Sequence, residues 1–277
     1  MAFGLPTDDT APTLDYGGYL RLAELLELQH AQSDPAHHDE LLFIVIHQVY
    51  ELWFKQILHE LDSIVALLHA GDTLEAHRLL HRCIEIERLL IQQLTVLETM
   101  TPNDFLMFRD HLRPASGFQS AQFRAIEFRS GLKDAALLPN FHEDGSERTE
   151  LERRIGEPTV LDAFWTLLGE RGFGVDPTQE KASEQEHARR IGALVRIYEN
   201  PREHRDLYLL AEAMLDYDEL FVAWRQRHVQ MAERMIGAKP GTGGSDGVGY
   251  LRSTTARRFF PPLWEVRSHL GQAGERY

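Results

Sequence analysis

The sequence predicts an all-α fold, in which a helix bundle forms a single domain over residues 1–277. Three observations lead to this prediction. Apolar residues recur at steps of three and four along most of the chain, which is the period of an amphipathic helix. The alternation typical of β-strands is nearly absent. Helix start and stop signals separate the periodic stretches.

The first two predicted helices differ in how clearly their ends are marked. The stretch 16–30 is amphipathic, and its spacing predicts one continuous helix. The next helix is predicted over 36–69, after the stretch "SDPAHHDE". Ser33 or Asp34 is expected to cap it, with Pro35 in its first turn.

The following helices also have sequence signals at their ends. A helix over 74–98 carries apolar residues at three- and four-residue steps. Thr101 is the expected cap of the next helix, which begins at Pro102 and ends before Pro114. The stretch "GFQSAQFRAIEFRSGL" predicts one further helix, ending near Gly131.

The C-terminal half is predicted to contain a polar connector, several helices and a glycine-rich loop. The predicted helices are 147–155, 159–168, 180–198 and 202–236. Six glycines lie between Gly237 and Gly249, directly after the last of these helices. The loop lacks the Gly-Lys-Ser/Thr ending of a phosphate-binding loop and no strand precedes it. It is therefore either a plain flexible connection or a loop that orders over a ligand.

Charge and cysteine content exclude several classes of protein. The net charge is −14, from 43 acidic and 29 basic residues, which disfavours binding to nucleic acid or to anionic membranes. The single cysteine, Cys83, cannot form an intramolecular disulfide, which favours a reducing compartment. The N-terminus has no signal-peptide pattern, and the uninterrupted apolar run 41–46 is too short for a membrane span. We expect a cytoplasmic, soluble protein.

Two histidines lie on strongly apolar helices. Phe43 and His47 are four residues apart on the predicted helix 36–69 and share a face. His228 lies on an apolar face together with Trp224. Core histidines that neighbours satisfy are the commoner case. A single histidine facing a flat apolar pocket is also what a haem iron requires, and without a Cys-x-x-Cys-His motif any haem is noncovalent.

Arg109 lies among apolar residues and needs an anionic partner. The planar guanidinium matches a carboxylate best. One interpretation is an internal ion pair with Asp104 or Asp110; the other is recognition of a substrate carboxylate. Ser116 and Gly117 follow closely and form a polar turn, which makes them candidates for the same binding site.

Two further groups of residues leave metal binding open as an alternative. Glu27-x-x-His30 and Glu184-x-x-His187 match half of a helical di-iron pattern, as in a non-haem oxygenase. The group His77, His81 and Glu85 lies at four-residue steps. Neither group has a supporting carboxylate on a clearly apolar face, so solvated helix faces are the favoured interpretation of both. A third possibility is a non-catalytic helical oligomer in which the buried polar residues are structural.

The chain resembles the tryptophan 2,3-dioxygenase family. Four stretches carry the resemblance, in the order and with the spacing of that family. They are "DYGGYL", "HDELLFIVIHQVYELWFKQILHELDS", "FRDHLRPASGFQSAQFRAIE" and "WRQRHVQMAERMIGAKPGTGGSDGVGYLRST". The middle of the chain, about 133–200, carries little of it.

The resemblance implies a haem enzyme that cleaves the indole C2=C3 bond of L-tryptophan with O2. The product is N-formylkynurenine, in the first step of tryptophan catabolism by the kynurenine pathway. Haem b is implied to be noncovalent, with one iron per subunit and His228 as its ligand. His47 matches the catalytic histidine that hydrogen-bonds the indole N–H, and Phe43 matches the aromatic packed on the indole. Arg109 matches the partner of the substrate carboxylate, and Thr242 the hydroxyl at its ammonium and carboxylate end.

The resemblance also implies residues at the edges of the site and a homotetramer, a dimer of dimers. Tyr16, Tyr19 and Leu20 match a segment, within residues 1–33, that completes the pocket of a neighbouring subunit.

Four other residues match positions around the haem and the substrate. Trp224 and Tyr250 match residues near the proximal side of the haem, and Arg124 matches a position near a haem propionate. Phe105 belongs to the substrate pocket at a position where some relatives have tyrosine, so one hydrogen bond to the substrate is expected to be missing.

Overall fold

The computed structural model describes residues 14–177, 183–244 and 246–271. Three parts of the predictions lie outside these residues: positions 1–13 of the N-terminal segment, positions 180–182 of the helix predicted at 180–198, and Ser245 of the glycine-rich loop. Within the described residues the chain forms α-helices, short 3-10 helices and loops, with no β-strand, which confirms the predicted all-α class.

The α-helices of the described residues vary from four to 32 residues in length. They are α1 Tyr16–Leu20, α2 Leu22–Leu25, α3 His38–His69, α4 Thr73–Leu97, α5 Pro102–Arg109, α6 Ala121–Ser130, α7 Ser146–Ile155, α8 Val160–Glu170, α9 Glu184–Glu199, α10 Arg205–Ile236, α11 Val248–Thr254 and α12 Pro261–Glu265.

The prediction of one helix over 16–30 is wrong. The chain instead forms α1 and α2, which are separated by Arg21 in the left-handed conformation, with φ of 51°. Gly17 and Gly18 make up part of α1, and glycine is a poor helix former. Asp15 caps α1 by accepting a hydrogen bond from the backbone N–H of Gly18 at 2.6 Å. A helix this weak ends after little more than one turn.

The predicted cap of α3 is also wrong. The N-cap is His37, whose ring accepts from the N–H of Asp39 at 3.3 Å. Ser33 instead bonds the buried carboxylate of Glu40, to which its backbone N–H donates at 3.1 Å. The carboxylate is the stronger acceptor, and it draws the preceding loop onto the first turn of the helix.

The helix predicted through "GFQSAQFRAIEFRSGL" is interrupted. A 3-10 helix covers Gly117–Gln119, and Ser120 then caps α6 by accepting from the N–H of Phe123 at 3.1 Å. In contrast, Thr101 caps α5 and Pro102 occupies its first turn, as predicted. The glycine-rich loop is shorter than predicted, because α11 begins at Val248.

The core is built around α4. Helix α4 packs against both α3 and α10, and α6 and α8 pack against α3. The side chains of Ile57, Leu61 and Ile64 on α3 and Leu80 on α4 are fully buried. Burying each of them stabilises the fold by about 1.5–3 kcal/mol relative to exposure. Because both 32-residue helices, α3 and α10, pack on α4, their relative positions are fixed by α4.

One helix among the described residues, α3, is long and apolar enough to cross a membrane by length and composition. Its most apolar window has a mean hydropathy of 1.3, and 28% of that window is buried. The core helix of a soluble protein passes the same test, so one such helix is weak evidence for a membrane span. The absence of membrane contact stays a prediction.

A buried carboxyl group lies in the core without a hydrogen-bond partner. Glu87 on α4 is 1% exposed, and neither of its carboxyl oxygens bonds to any described residue. Burial raises the pKa of Glu87 well above its usual range, repulsion by Asp218 adds to the rise, and Arg225 opposes it. Cys83 and Tyr217 are its other titratable neighbours. The fold therefore favours the neutral acid at this position.

We expect Glu87→Leu to stabilise the protein increasingly as the pH rises above about 4.5. The unfolded chain releases this proton near its usual pKa while the folded chain retains it, so wild-type stability falls by about 1.4 kcal/mol per pH unit until the folded pKa is reached. The measurement is the difference in melting temperature between variant and wild type from pH 4 to pH 8. Glu85→Leu, at an exposed position of the same helix, is the control. A stability difference that does not change with pH would contradict a retained proton.

Candidate functional site

A cavity of about 280 Å³ lies between α3, α5, α6, α10 and α11. Its lining is mostly apolar and aromatic, with a few charged groups, as is typical of sites for small ligands and cofactors. The C-terminal part of α4 contributes Leu94 and Leu97. The glycine-rich loop contributes Gly241 and Thr242, so the loop forms part of the wall.

His47 faces this cavity from α3. Its Nδ1 donates to the carbonyl oxygen of Phe43 at 2.7 Å, and because a carbonyl can only accept, Nδ1 carries the proton. In the neutral ring Nε2 is then an acceptor. The ring is exposed to the cavity, and desolvation by the surrounding apolar wall lowers the pKa of His47, whereas the Phe43 carbonyl and Glu51 oppose this. The site therefore favours a neutral imidazole that accepts a hydrogen bond.

His228 faces the same cavity from α10. Burial lowers the pKa of His228 to about 4, and His47 contributes further to the lowering. Neither ring nitrogen makes a hydrogen bond within the described part of the chain, which leaves a nitrogen lone pair free for another partner. A neutral imidazole with a free lone pair is the form that binds a metal.

Aromatic contacts fix the ring of His228. It stacks on Trp224 with a centroid distance of 5.1 Å and an interplanar angle of 27°. The indole N–H of Trp224 is 3.5 Å from the hydroxyl of Tyr50, which donates to the carbonyl of Leu90 at 2.5 Å. Burial raises the pKa of Tyr50 to about 12, so its hydroxyl keeps its proton. One chain of contacts thus runs from α4 through α3 to the ring of His228.

A second aromatic cluster lies beside His47. The rings of Phe43 and His47 are 4.1 Å apart, and Phe43 is stacked with Phe105 at 5.6 Å. Phe108, fully buried, packs edge-on against Phe43 and Phe105. Of these rings, Phe43 and Phe105 line the cavity and offer flat apolar surfaces to a planar ligand.

Arg109 has no carboxylate partner among the described residues, so the interpretation as an internal ion pair with Asp104 or Asp110 is wrong. Asp104 lies 3.9 Å from His37, and Asp110 is paired with Arg113 at 3.3 Å. Arg109 is 5% exposed, and its guanidinium donates to the carbonyl of Pro240 in the glycine-rich loop. A neutral carbonyl leaves the positive charge of this buried group uncompensated.

The glycine-rich loop lies on the turn that follows Arg109. The hydroxyl of Thr242 donates to the carbonyl of Ala115 at 2.7 Å. A Cβ atom on Gly243 would lie 2.6 Å from the Cβ of Ser116, so only glycine fits there. This close approach brings Thr242, Ser116 and Arg109 to one end of the cavity.

Three buried charged residues line the cavity near His228: Arg124, Glu127 and Arg225. Glu127 accepts from Arg124 at 2.6 Å and from Arg225 at 3.1 Å. Arg225 also donates to the carbonyl of Arg257 at 3.1 Å. Sequence reasoning missed Glu127 and Arg225. Glu127 is one helical turn from Arg124, and Arg225 one turn from His228, which is the signal that was available.

Eleven of the predicted site residues meet in this one cavity. They are Phe43, His47, Phe105, Arg109, Ser116, Gly117, Arg124, Trp224, His228, Thr242 and Tyr250. Tyr50 and Glu51, one turn from His47, also line it and were not predicted.

The predicted N-terminal site residues do not reach this cavity. Tyr16 and Tyr19 are 75% and 70% exposed, and Leu20 is 41% exposed. Their predicted role in a neighbouring subunit is neither supported nor opposed by their position in one chain.

The alternative metal sites are contradicted. No group of three or more His, Cys, Asp or Glu side chains within the described ranges could hold a metal ion. His187 bonds Glu265 at 2.8 Å rather than joining Glu27 and His30. His81 lies 3.8 Å from Glu85 in a surface pair that does not include a third ligand.

Comparison with known proteins gives a consistent family assignment. The profile of the tryptophan 2,3-dioxygenase family matches residues 6–168 and 175–270. A tryptophan 2,3-dioxygenase of Nocardioides sp. is 49% identical over 263 residues, covering 93% of this chain and 95% of the relative. Those of Herpetosiphon aurantiacus (46%, 93% and 98% covered) and Myxococcus xanthus (42%, 95% and 91% covered) are similarly close. The chain belongs to the tryptophan 2,3-dioxygenase family.

Proposed function

We propose that this protein is a haem dioxygenase that cleaves the indole C2=C3 bond of L-tryptophan with O2 to give N-formylkynurenine, the first step of the kynurenine pathway. One observation carries the proposal: two neutral histidines and one buried arginine without a carboxylate face the same apolar cavity. The family assignment supplies the reaction and the substrate.

Haem b fits the chemistry of the groups in the cavity and would bind noncovalently, with one iron per subunit. His228 would bind its iron, because its imidazole is neutral and makes no hydrogen bond to the described residues. Arg124 would face a propionate, with Trp224 and Tyr250 beside the ring. When bound, haem supplies an iron with one open position for O2.

The charged end of tryptophan would bind where the glycine-rich loop meets Arg109. A substrate carboxylate would replace the Pro240 carbonyl on the guanidinium, since a charge-assisted pair is stronger than a bond to a neutral carbonyl. Thr242 and the turn at Ser116 and Gly117 lie at the same end and offer polar groups to the ammonium and carboxylate. A buried arginine thus gains the counter-charge that it lacks.

The indole would lie against Phe43 and Phe105, with its N–H directed at His47. The Nε2 atom of His47 is an acceptor in the tautomer fixed by Phe43, so it can receive that hydrogen bond. Because the pKa of His47 is lowered, the ring is a weak base, which suits orientation of the indole better than obligatory removal of its proton. Phe105 contributes apolar contact and no hydrogen bond to the substrate.

We also propose a single-domain, cytoplasmic subunit that assembles as a homotetramer, a dimer of dimers. Exposed apolar side chains on α3, α4 and α5 support an assembly, because contacts between subunits would cover apolar surface that faces water on a single chain. They include Leu41, Val45, Leu52, Leu89, Val96, Leu106 and Met107. Tyr16, Tyr19 and Leu20, exposed on one chain, would complete the pocket of a neighbouring subunit.

The purified protein is expected to show a Soret band and to form N-formylkynurenine from L-tryptophan under air. His228→Ala should lose both, because it removes the imidazole that would hold the iron; haem content is measured by absorbance per chain. His187→Ala, which removes a surface histidine paired with Glu265, is the control and should keep both. Full haem content and full activity in His228→Ala would refute the ligand assignment. A wild type without a Soret band after haem reconstitution would favour a non-catalytic helical protein.

Arg109→Ala is expected to raise the KM for L-tryptophan and to lower kcat/KM at least about 30-fold. Losing a buried arginine–carboxylate pair costs about 2–5 kcal/mol. Steady-state kinetics of N-formylkynurenine formation measure the change. Arg113→Ala, at an exposed neighbouring position paired with Asp110, should leave KM unchanged. An unchanged KM in Arg109→Ala would remove this residue from substrate binding.

His47→Ala is expected to keep measurable turnover, reduced about tenfold, the equivalent of one lost hydrogen bond of ~1.4 kcal/mol. If His47 orients the indole by accepting a hydrogen bond from the indole N–H, the variant and the wild type should differ much less in turnover of 1-methyl-L-tryptophan than in turnover of L-tryptophan. Complete loss of turnover, with haem and tryptophan still bound, would instead make His47 an obligatory base.

A further inference from the structure

We propose that Glu127 is a positioning residue of this site. Its carboxylate orients Arg124 towards the proposed cofactor, and it also links α6 to the part of α10 that carries His228. The inference rests on the proposed function, because it concerns the haem-binding side of the cavity. Glu127 does not touch the substrate end, where Arg109, Thr242 and the loop lie.

The two carboxylate oxygens of Glu127 bond to side chains on two different helices. One oxygen of Glu127 accepts from Arg124, three residues earlier on α6, at 2.6 Å. The other accepts from Arg225 on α10 at 3.1 Å. All three residues line the cavity and are at most 4% exposed. The two oxygens thus join a residue on the cavity wall to a residue one turn before His228.

The two arginines differ in how many of their donors are free. Arg225 uses one terminal nitrogen on Glu127 and the other on the carbonyl of Arg257. Its guanidinium also packs on Phe259 at 5.2 Å from the ring centroid, so it is fixed. The hydrogen bond to Glu127 is the only one that the side chain of Arg124 makes among the described residues. The remaining N–H groups of Arg124 are available to a ligand, and the hydrogen bond to Glu127 fixes their direction.

The charges of the group do not cancel. Two guanidiniums share one carboxylate, which leaves one positive charge at the cavity wall. The nearby carboxylate of Asp218 is committed elsewhere: it accepts from the N–H groups of Phe259 and Phe260 at 2.9 and 3.0 Å, and from the indole of Trp264 at 2.9 Å. The surplus charge matches an anionic group in the cavity, such as a carboxylate side chain of the cofactor.

The link also fixes the helix that carries His228. Helix α6 packs mainly on α3, α7 and α8, whereas α10 packs mainly on α4 and α11. Polar side chains join α6 to α10 at two places, the Glu127–Arg225 pair and the hydrogen bond between Ser130 and Tyr217 at 3.0 Å. Only the first carries charge and lies at the cavity, so the two links can be separated by mutation.

The test compares haem-loaded Glu127→Gln with haem-loaded wild type and with Ser130→Ala, which removes the uncharged link between the same helices. The first readout is the rate of haem transfer to apomyoglobin. The second is the ferric/ferrous midpoint potential, and the third is the division of any kinetic loss between kcat and KM. Glutamine keeps the size of the side chain and one acceptor but loses the negative charge.

Glu127→Gln is expected to transfer haem about 10- to 100-fold faster, the range seen when a residue supporting a metal ligand is lost. Its midpoint potential should shift to a more positive value, because removing a nearby negative charge disfavours the ferric state. The KM for tryptophan should stay near the wild-type value. Ser130→Ala should change neither the transfer rate nor the potential.

Unchanged haem transfer and potential in Glu127→Gln, or changes that Ser130→Ala reproduces, would overturn the positioning role while leaving the proposed function intact. If the wild type binds no haem at all, the proposed function fails and this inference fails with it. Glu127→Asp keeps the test decisive if Glu127→Gln does not fold. Its shorter carboxylate cannot reach both arginines, so haem transfer should accelerate while the potential stays near wild type; an unchanged transfer rate would contradict the inference.

Discussion

The site depends on how three long helices share one interface. Both α3 and α10 pack on α4, and neither packs closely along the other. The space left between them is the cavity. Tyr50 and Trp224 bridge it at one point, where the indole nitrogen of Trp224 lies 3.5 Å from the hydroxyl oxygen of Tyr50. Because fully buried side chains such as Ile57 and Leu80 fix α3 on α4, the distance between the walls is set by the core rather than by the ligand.

This arrangement controls the protonation of both histidines. A cavity walled by Phe43, Phe105 and Trp224 provides little solvation for a charged imidazole, which is why burial lowers the pKa of His47 and of His228. The same environment that keeps His228 available as a ligand keeps His47 a hydrogen-bond acceptor. Two arginines of the wall, Arg109 and Arg225, meet partners from other elements.

Much of the fold could be predicted from the sequence, because the long helices carry a strong period and clear end signals. Thr101 and Pro102 mark the start of α5 through local chemistry alone. The N-terminal stretch could not be predicted as two helices, since the left-handed turn at Arg21 leaves no periodic signal. The predicted cap at Ser33 likewise fails because Ser33 bonds to the carboxylate of Glu40 instead of capping α3, and that carboxylate is buried.

The site was predictable only in part, for a similar reason. The motif residues His47, Arg109 and His228 stand out through their type and their apolar surroundings. Their partners do not: Pro240 is 131 residues from Arg109, and Arg225 is 98 residues from Glu127. Such contacts depend on the packing of distant helices, which the spacing of residues along one helix does not encode.

The glycine-rich loop connects these observations, because it begins at the end of the helix that carries His228 and reaches Arg109 and the turn at Ser116. Its contacts with Arg109 and with the turn at Ser116 require a backbone that approaches closely, and Gly243 provides that. The Pro240 carbonyl accepts from the Arg109 guanidinium, the group that the proposed substrate carboxylate would contact. In the proposed binding mode the carboxylate is the stronger acceptor, so an exchange at Arg109 would release Pro240 while Thr242 can keep its bond to Ala115. That the loop orders over tryptophan stays a prediction, and this proposed exchange gives it a physical cause.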